Sequence, residues 1–329
     1  MKAELIKRLF RSVAAGSEKD ILKVCSLIID DEKNRGHVAL AKQLGVIIST
    51  YKDEKIESKP EKSSEKELGT LPMSRRYNDP LVTYIVRRAL RHDMILPELI
   101  EQRFQRIEKE FAARDRLASF GLHYTKRILM YGAPGCGKTL GAERLAWKTG
   151  LPLVKVRFDA LISSYLGESA SNLRKIFDMA KTTPCLLFLD ECDSIAKSRS
   201  FGNDVGEIPR IVNTLLQLLD DFDSPGLLVA ATNLDKSLDR ALFRRFDDVF
   251  EIPPPRIKEI EQLLKLALST MKLDNSIQWK EIASQLEGTS AAFVVKVGKD
   301  AAKRAILAGR SSVQQKDLEH AKQSMYRIE

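Results

Sequence analysis

The chain has 329 residues, a net charge of +9, 43% hydrophobic and 30% charged residues. That length exceeds one ordinary core and predicts two or three domains, and the composition excludes a largely disordered chain. No apolar run reaches membrane-spanning length, and residues 1–8 mix charge with apolar side chains instead of forming a signal-peptide core, so a cytoplasmic protein with no membrane partner is expected.

Residues 1–50 are predicted to form a small helical module. Leu5, Leu9 and Val13 recur at helical spacing, as do Ile21, Val24, Leu27 and Ile28, and a further helix follows Gly36. Residues 51–80 are predicted to be a charged flexible linker. Lys52-Asp53-Glu54-Lys55 and Glu61-Lys62-Ser63-Ser64-Glu65-Lys66-Glu67 offer almost nothing to bury. Apolar spacing resumes at Leu81, Ile85 and Leu90, which predicts helical segments up to Phe120.

Strands and helices then alternate. Strands are expected over 127–131, 152–158, 185–189, 227–231 and 249–252, with helices after the glycine-rich stretch, over 169–180 and over 208–222. Cys185-Leu186-Leu187-Phe188-Leu189 is uninterruptedly apolar, as a central parallel strand covered on both faces must be. The alternation predicts an α/β fold with a parallel sheet flanked by helices over residues 81–254. Pro253-Pro254-Pro255 stops the pattern, and residues 255–329 are predicted to be a small domain that is helical throughout. The four cysteines Cys25, Cys136, Cys185 and Cys192 form no C-x-x-C pair and read as reduced thiols.

Gly132-Ala133-Pro134-Gly135-Cys136-Gly137-Lys138-Thr139 fits G-x-x-x-x-G-K-[ST] between a predicted strand and a predicted helix. Its backbone amides and the helix N-terminus suit phosphate oxygens, Lys138 supplies a point charge, and Thr139 a hydroxyl for Mg²⁺. Leu140 continues the motif into the helix. Asp190 and Glu191 close the central strand, and adjacent carboxylates there repel unless a cation joins them. Asp190 is expected in the magnesium shell and Glu191 as the base that activates water. Asn233 ends the next strand, where its amide would orient that water. Arg244-Arg245 follows and reads as an arginine finger acting on ATP held by a neighbouring copy. The expected activity is ATP hydrolysis, with ATP and Mg²⁺ bound.

The order of glycine-rich loop, Asp190-Glu191, Asn233, Arg244-Arg245 and small helical domain resembles the AAA+ ATPases, and within them the core AAA clade. The P-loop NTPase sheet and a helical lid are thereby implied. The adjacent arginines resemble the pair in katanin, spastin and the ESCRT-disassembling ATPases. Asp220-Asp221-Phe222 resembles the family's Asp-Gly-Phe signalling element, with Asp221 in place of glycine. Gly288-Thr289-Ser290-Ala291-Ala292 resembles the segment near adenine, which implies that Ala291 and Ala292 contact the base. Asp93-Met94-Ile95 corresponds to the upstream adenine turn, implying Met94 and Ile95. Tyr165-Leu166-Gly167 falls where the family carries its pore loop.

Two substrates remain open on these residues. The resemblance implies a hexameric homo-oligomer that grips a protein substrate through Tyr165, whose apolar ring area suits many sequences. The alternative is a DNA-handling ATPase, such as a helicase loader or transposition regulator, kept open by the charge of +9 and by Arg75-Arg76 and Arg87-Arg88. A helical module and charged linker before the ATPase also resemble the ATPase half of bacterial phage-defence pairs, which implies a subtilisin-like serine protease as partner and an antiviral role.

Overall fold

The computed structural model describes residues 25, 29, 31, 72–73, 80–162, 168–191, 207–233 and 240–326. The chain divides into two compact units, Met1–Gly69 and Thr70–Glu329. In the first, Cys25, Ile29 and Asp31 are helical. Of the expected linker, only residues 72–73 and 80 are described.

The second unit is built on six strands: β1 (Val82–Ile85), β2 (Arg127–Tyr131), β3 (Leu153–Val156), β4 (Leu186–Leu189), β5 (Leu227–Thr232) and β6 (Asp248–Glu251). They lie in the order β1-β3-β4-β5-β2-β6. Every neighbouring pair is parallel except β1 with β3. The fold is therefore mixed α/β with a mostly parallel sheet, as its alternating pattern predicts.

Helices α1 (Glu98–Ala112), α2 (Arg114–Ser119), α3 (Lys138–Thr149), α4 (Phe158–Ile162), α5 (Ser169–Thr182), α6 (Glu207–Asp220) and α7 (Arg240–Phe243) accompany the sheet. Strand β4 shows why the sheet is covered on both faces. Successive side chains of a strand point to opposite faces. Leu187 and Leu189 belong to the core formed with Leu173, Ile176 and Phe177 of α5 and Leu215 of α6. Leu186 and Phe188 belong to the core on the other face, with Phe104 and Ile107 of α1 and Leu145 of α3. Each such side chain contributes about 1.5–3 kcal/mol of burial, which is why the run tolerates no polar residue before Asp190.

Two expectations fail. The 81–90 stretch is not an α-helix: Val82–Ile85 forms β1 and pairs with β3, Val82 opposite Val156 and Ile85 opposite Leu153, and only Arg87–Ala89 makes a short 3₁₀ turn. Val82-Thr83-Tyr84-Ile85 is β-branched and aromatic, and the unpaired edge of β3 offers a ladder of donors and acceptors that outweighs the four-residue spacing of Leu81 and Ile85. The C-terminal part is not helical throughout either. Helices α8 (Ile257–Ala267), α9 (Trp279–Gln285), α10 (Ala291–Leu307) and α11 (Gln315–Tyr326) enclose a separate core around Leu264, Val297 and Leu318. Between them, β7 (Lys272–Leu273) and β8 (Ser312–Val313) form a small parallel pair. Two-residue strands leave no period to read in a sequence.

No described helix is long and apolar enough to cross a membrane.

Candidate active site

Parallel pairing brings the C-terminal ends of the interior strands β2, β4 and β5 to the same end of the sheet. Leu189 pairs with Ala230 and Tyr131 with Thr232. The residues that follow these strands, Gly132, Asp190 and Asn233, are thereby neighbours, which is where ligands sit in open parallel sheets.

The loop after β2 is shaped by contacts that exclude side chains. A Cβ on Gly132 would lie 2.4 Å from the carbonyl oxygen of Ile252. Gly135 has φ +76°, and a Cβ there would meet Ser290 Oγ at 2.9 Å. Gly135 also accepts a hydrogen bond from the Ala292 N–H at 3.0 Å, which joins the loop to the start of α10. Lys138 begins α3 and is buried. Its Nζ donates to the carbonyls of Gly132 at 2.7 Å and Ala133 at 3.0 Å, so the cation is held inside the curl of its own loop. Cys136, within the loop, is buried, and burial pushes its thiol up. Cys185, just before β4, is pushed up to about 12 by burial. Cys25, Cys136 and Cys185 are free thiols; Cys192 lies outside the described residues.

Thr139 Oγ1 donates to Asp190 Oδ2 at 3.1 Å. The Glu191 N–H donates to Asp190 Oδ1, also at 3.1 Å. Among the described residues Glu191 is the one non-glycine with positive φ, +54°. That conformation costs roughly 1–2 kcal/mol for an L-residue. It turns the chain sharply at the end of β4 and leaves Glu191 exposed at the mouth of the cleft.

A cleft of about 1080 Å³ gathers the predicted residues. Pro134 to Leu140 of the loop, Asp190, Glu191, Asn233, Met94, Ile95, Ala291 and Ala292 all line it. Gly132 and Ala133 do not line it; their carbonyls hold the Lys138 ammonium. Thr139 and Asp190 offer a hydroxyl and a carboxylate. Among the described residues no group of three His, Cys, Asp or Glu side chains forms a protein-only metal cage. That donor set fits magnesium, which takes one or two protein oxygens and keeps waters and phosphates for the rest.

The arginines stand apart. Arg244 is exposed on the turn after α7, and Arg245 donates from Nε to Asp220 Oδ2 at 3.0 Å. Neither lines this cleft. Tyr165, Leu166 and Gly167 lie outside the described residues.

Sequence reading missed several parts of the cleft. His92, from the extended segment before α1, stacks on Trp147 of α3 with ring centroids 4.0 Å apart. No local pattern signals a stack between residues so far separated. Lys296 and Lys299 of α10 line the wall, and their spacing of three was readable as one helix face. Lys155 Nζ lies 2.7 Å from Asp190 Oδ2. A lysine inside the apolar strand Leu153-Val154-Lys155-Val156 was its signal.

The model of the ATPase family associated with various cellular activities (AAA) matches residues 128–254. AAA family ATPase y4kL, an uncharacterized protein of Sinorhizobium fredii, is 36% identical over 324 residues, 98% of this chain and 94% of that protein. The chain belongs to the AAA ATPase family. This AAA ATPase is an ATP-hydrolysing enzyme, and the glycine-rich loop, Asp190, Glu191 and Asn233 of its cleft fall within the matched span. It is also 33% identical over 231 residues to the proteasome-activating nucleotidase of Methanosarcina mazei, covering 68% of this chain and 55% of that one. With the ATP-dependent zinc metalloprotease FtsH of Helicobacter felis it shares 35% identity over 222 residues, 65% of this chain and 34% of that one. The AAA ATPase thus spans nearly all of y4kL but only about half and a third of the other two.

Proposed function

We propose that this ATPase couples ATP hydrolysis to remodelling, unfolding or threading of a protein substrate through a ring of its own copies. The carrying observation is a division of the machinery. Lys138, Thr139, Asp190, Glu191 and Asn233 line one cleft, whereas Arg244 and Arg245 lie outside it. An arginine placed so can complete catalysis on ATP held by a neighbouring copy. The names of relatives support a protein substrate: they attach this type of ATPase to proteasome activation and to ATP-dependent proteolysis. The names of these relatives do not speak to a subtilisin-like protease partner or a phage-defence role.

Lys138 binds the β- and γ-phosphates as a cation, aided by the loop amides. Met94, Ile95, Ala291 and Ala292 form the apolar wall for adenine. Thr139 and Asp190 would hold Mg²⁺, which when bound neutralises phosphate charge. Glu191 takes the proton of the attacking water, and Asn233 orients that water through its amide. Tyr165, Leu166 and Gly167 grip the extended polypeptide.

A pulldown with Glu191→Gln in ATP tests this reading. With binding intact and hydrolysis blocked, the variant should retain polypeptide, and adding Tyr165→Ala should release it. Capture of nucleic acid alone, with a steep loss of binding as salt rises, would overturn the protein substrate in favour of a DNA-handling ATPase.

A further inference from the structure

One oxygen in the cleft has two claimants. Asp190 Oδ2 accepts from Thr139 Oγ1 at 3.1 Å and from Lys155 Nζ at 2.7 Å. Lys155 stands on β3, paired with Phe188 of β4, and its ammonium lies 5.8 Å from the Phe188 ring centroid. Val154 and Val156 on either side are buried, so the backbone of Lys155 is fixed and only its side chain can move. Among the described residues its one carboxylate partner at ion-pair distance is Asp190. Glu143 is close enough for its charge to be felt, but its oxygens are taken by Arg91.

The Lys155 side chain is 37% exposed and that of Asp190 17%. An ammonium in a partly desolvated site holds a carboxylate in place and repels a second cation on the same oxygen. A divalent ion that engages both Thr139 Oγ1 and Asp190 Oδ2 must therefore displace Lys155.

We propose that Lys155 is a built-in competitor for the metal carboxylate, so that divalent metal binds weakly alone and firmly only together with nucleotide phosphates. The proposal rests on Asp190 being the metal carboxylate, and it adds an order to loading. Phosphates bring extra negative charge, which draws the metal in and gives the displaced ammonium a new partner. Lys155 is thus a positioning residue that acts through Asp190.

Mn²⁺ binding, followed by electron paramagnetic resonance without nucleotide, tests this on the full chain. Lys155→Met removes the charge and keeps the length. It should bind Mn²⁺ alone at least tenfold more tightly than wild type, and Asp190→Asn added to it should abolish the gain. Lys155→Arg should bind as weakly as wild type. Lys155→Gln replaces Lys155→Met should the latter fail to fold, with the same expectation. Unchanged or weaker Mn²⁺ binding by the neutral variants would overturn the competition. Mn²⁺ binding with ADP present keeps the two ideas separable. If Asp190→Asn weakens that binding while the neutral Lys155 variants leave metal-alone binding unchanged, the competition fails and the metal carboxylate stands. If Asp190→Asn has no effect on it, the metal assignment itself falls and the proposal with it.

Discussion

Arg91 and Glu143, 52 residues apart, are joined by three hydrogen bonds. The Arg91 N–H and Nε both donate to Glu143 Oε2 at 2.9 Å, and Nη2 donates to Oε1 at 2.5 Å. Glu143 lies on α3, the helix that Lys138 begins; Arg91 leads directly into Met94 and Ile95 on the cleft wall. The pair therefore ties the wall expected to hold the base to the helix expected to hold the phosphates. Glu143→Ala should raise KM for ATP several-fold with a smaller effect on kcat. Loss of hydrogen bonds to a charged group costs about 2 kcal/mol. That corresponds to a fall in Tm of about 4–8 °C for a unit of this size. Glu143→Gln, which keeps an acceptor, should lose less. Steady-state kinetics and differential scanning fluorimetry check both.

The same pair predicts a pH dependence. Burial pushes the Glu143 carboxyl up, but the hydrogen bonds from the Arg91 side chain and backbone outweigh it and hold it below its ordinary value of 4.5. Glu101 is also held below that value, chiefly by its hydrogen bond from Arg144. A depressed carboxyl stabilises the fold fully above its unfolded value and loses that contribution as pH falls through the folded one. Tm should therefore fall steeply below pH ~4.5. Glu143→Gln should show a shallower fall, and parallel Tm–pH curves would contradict the assignment.

The roles proposed for the cleft residues separate binding from chemistry. Lys138→Ala should lose nucleotide binding, measured with a fluorescent ATP analogue. Glu191→Gln should keep it and slow hydrolysis by ~10²–10⁴-fold, the usual cost of losing a general base. Near-normal turnover by Glu191→Gln would remove Glu191 from that role.

Arg245 and Asp220 link the arginine turn to the end of α6 at 3.0 Å. Should the arginines complete a neighbour's cleft, Arg244→Ala or Arg245→Ala should lower kcat and leave ATP affinity nearly intact. Mixing either variant with Glu191→Gln should restore part of the activity, because a mixed ring contains junctions with an intact base and an intact arginine. An ATPase rate per subunit that stays constant on dilution to proven monomers would contradict action in trans.

A backbone contact sets the last expectation. A Cβ on Gly226 would lie 1.9 Å from the carbonyl oxygen of Cys185, at the entrance to the paired strands β4 and β5. Neither backbone can yield without breaking the Leu227 N–H to Cys185 O bond of 3.1 Å. Gly226→Ala should therefore destabilise by about 1–3 kcal/mol or more, as overpacking does, and chemical denaturation should show it.

The local order of residues determined the glycine-rich loop before Lys138, Asp190-Glu191 and the parallel sheet. Each is a short-range statement: glycines at fixed offsets from a lysine, a carboxylate pair after an apolar run, and strands alternating with helical spacing. The structure alone decided what depends on distant partners. Strand β1 exists because the edge of β3 is there to receive it, and no periodicity of four outweighs a row of unpaired backbone groups. The seam of Ala292 to Gly135, the Arg91–Glu143 tie and the Lys155–Asp190 contact join segments that only folding brings together. A charged side chain in a sequence shows no partner; which carboxylate neutralises it is settled by the strand register and helix packing that place the two within hydrogen-bond reach.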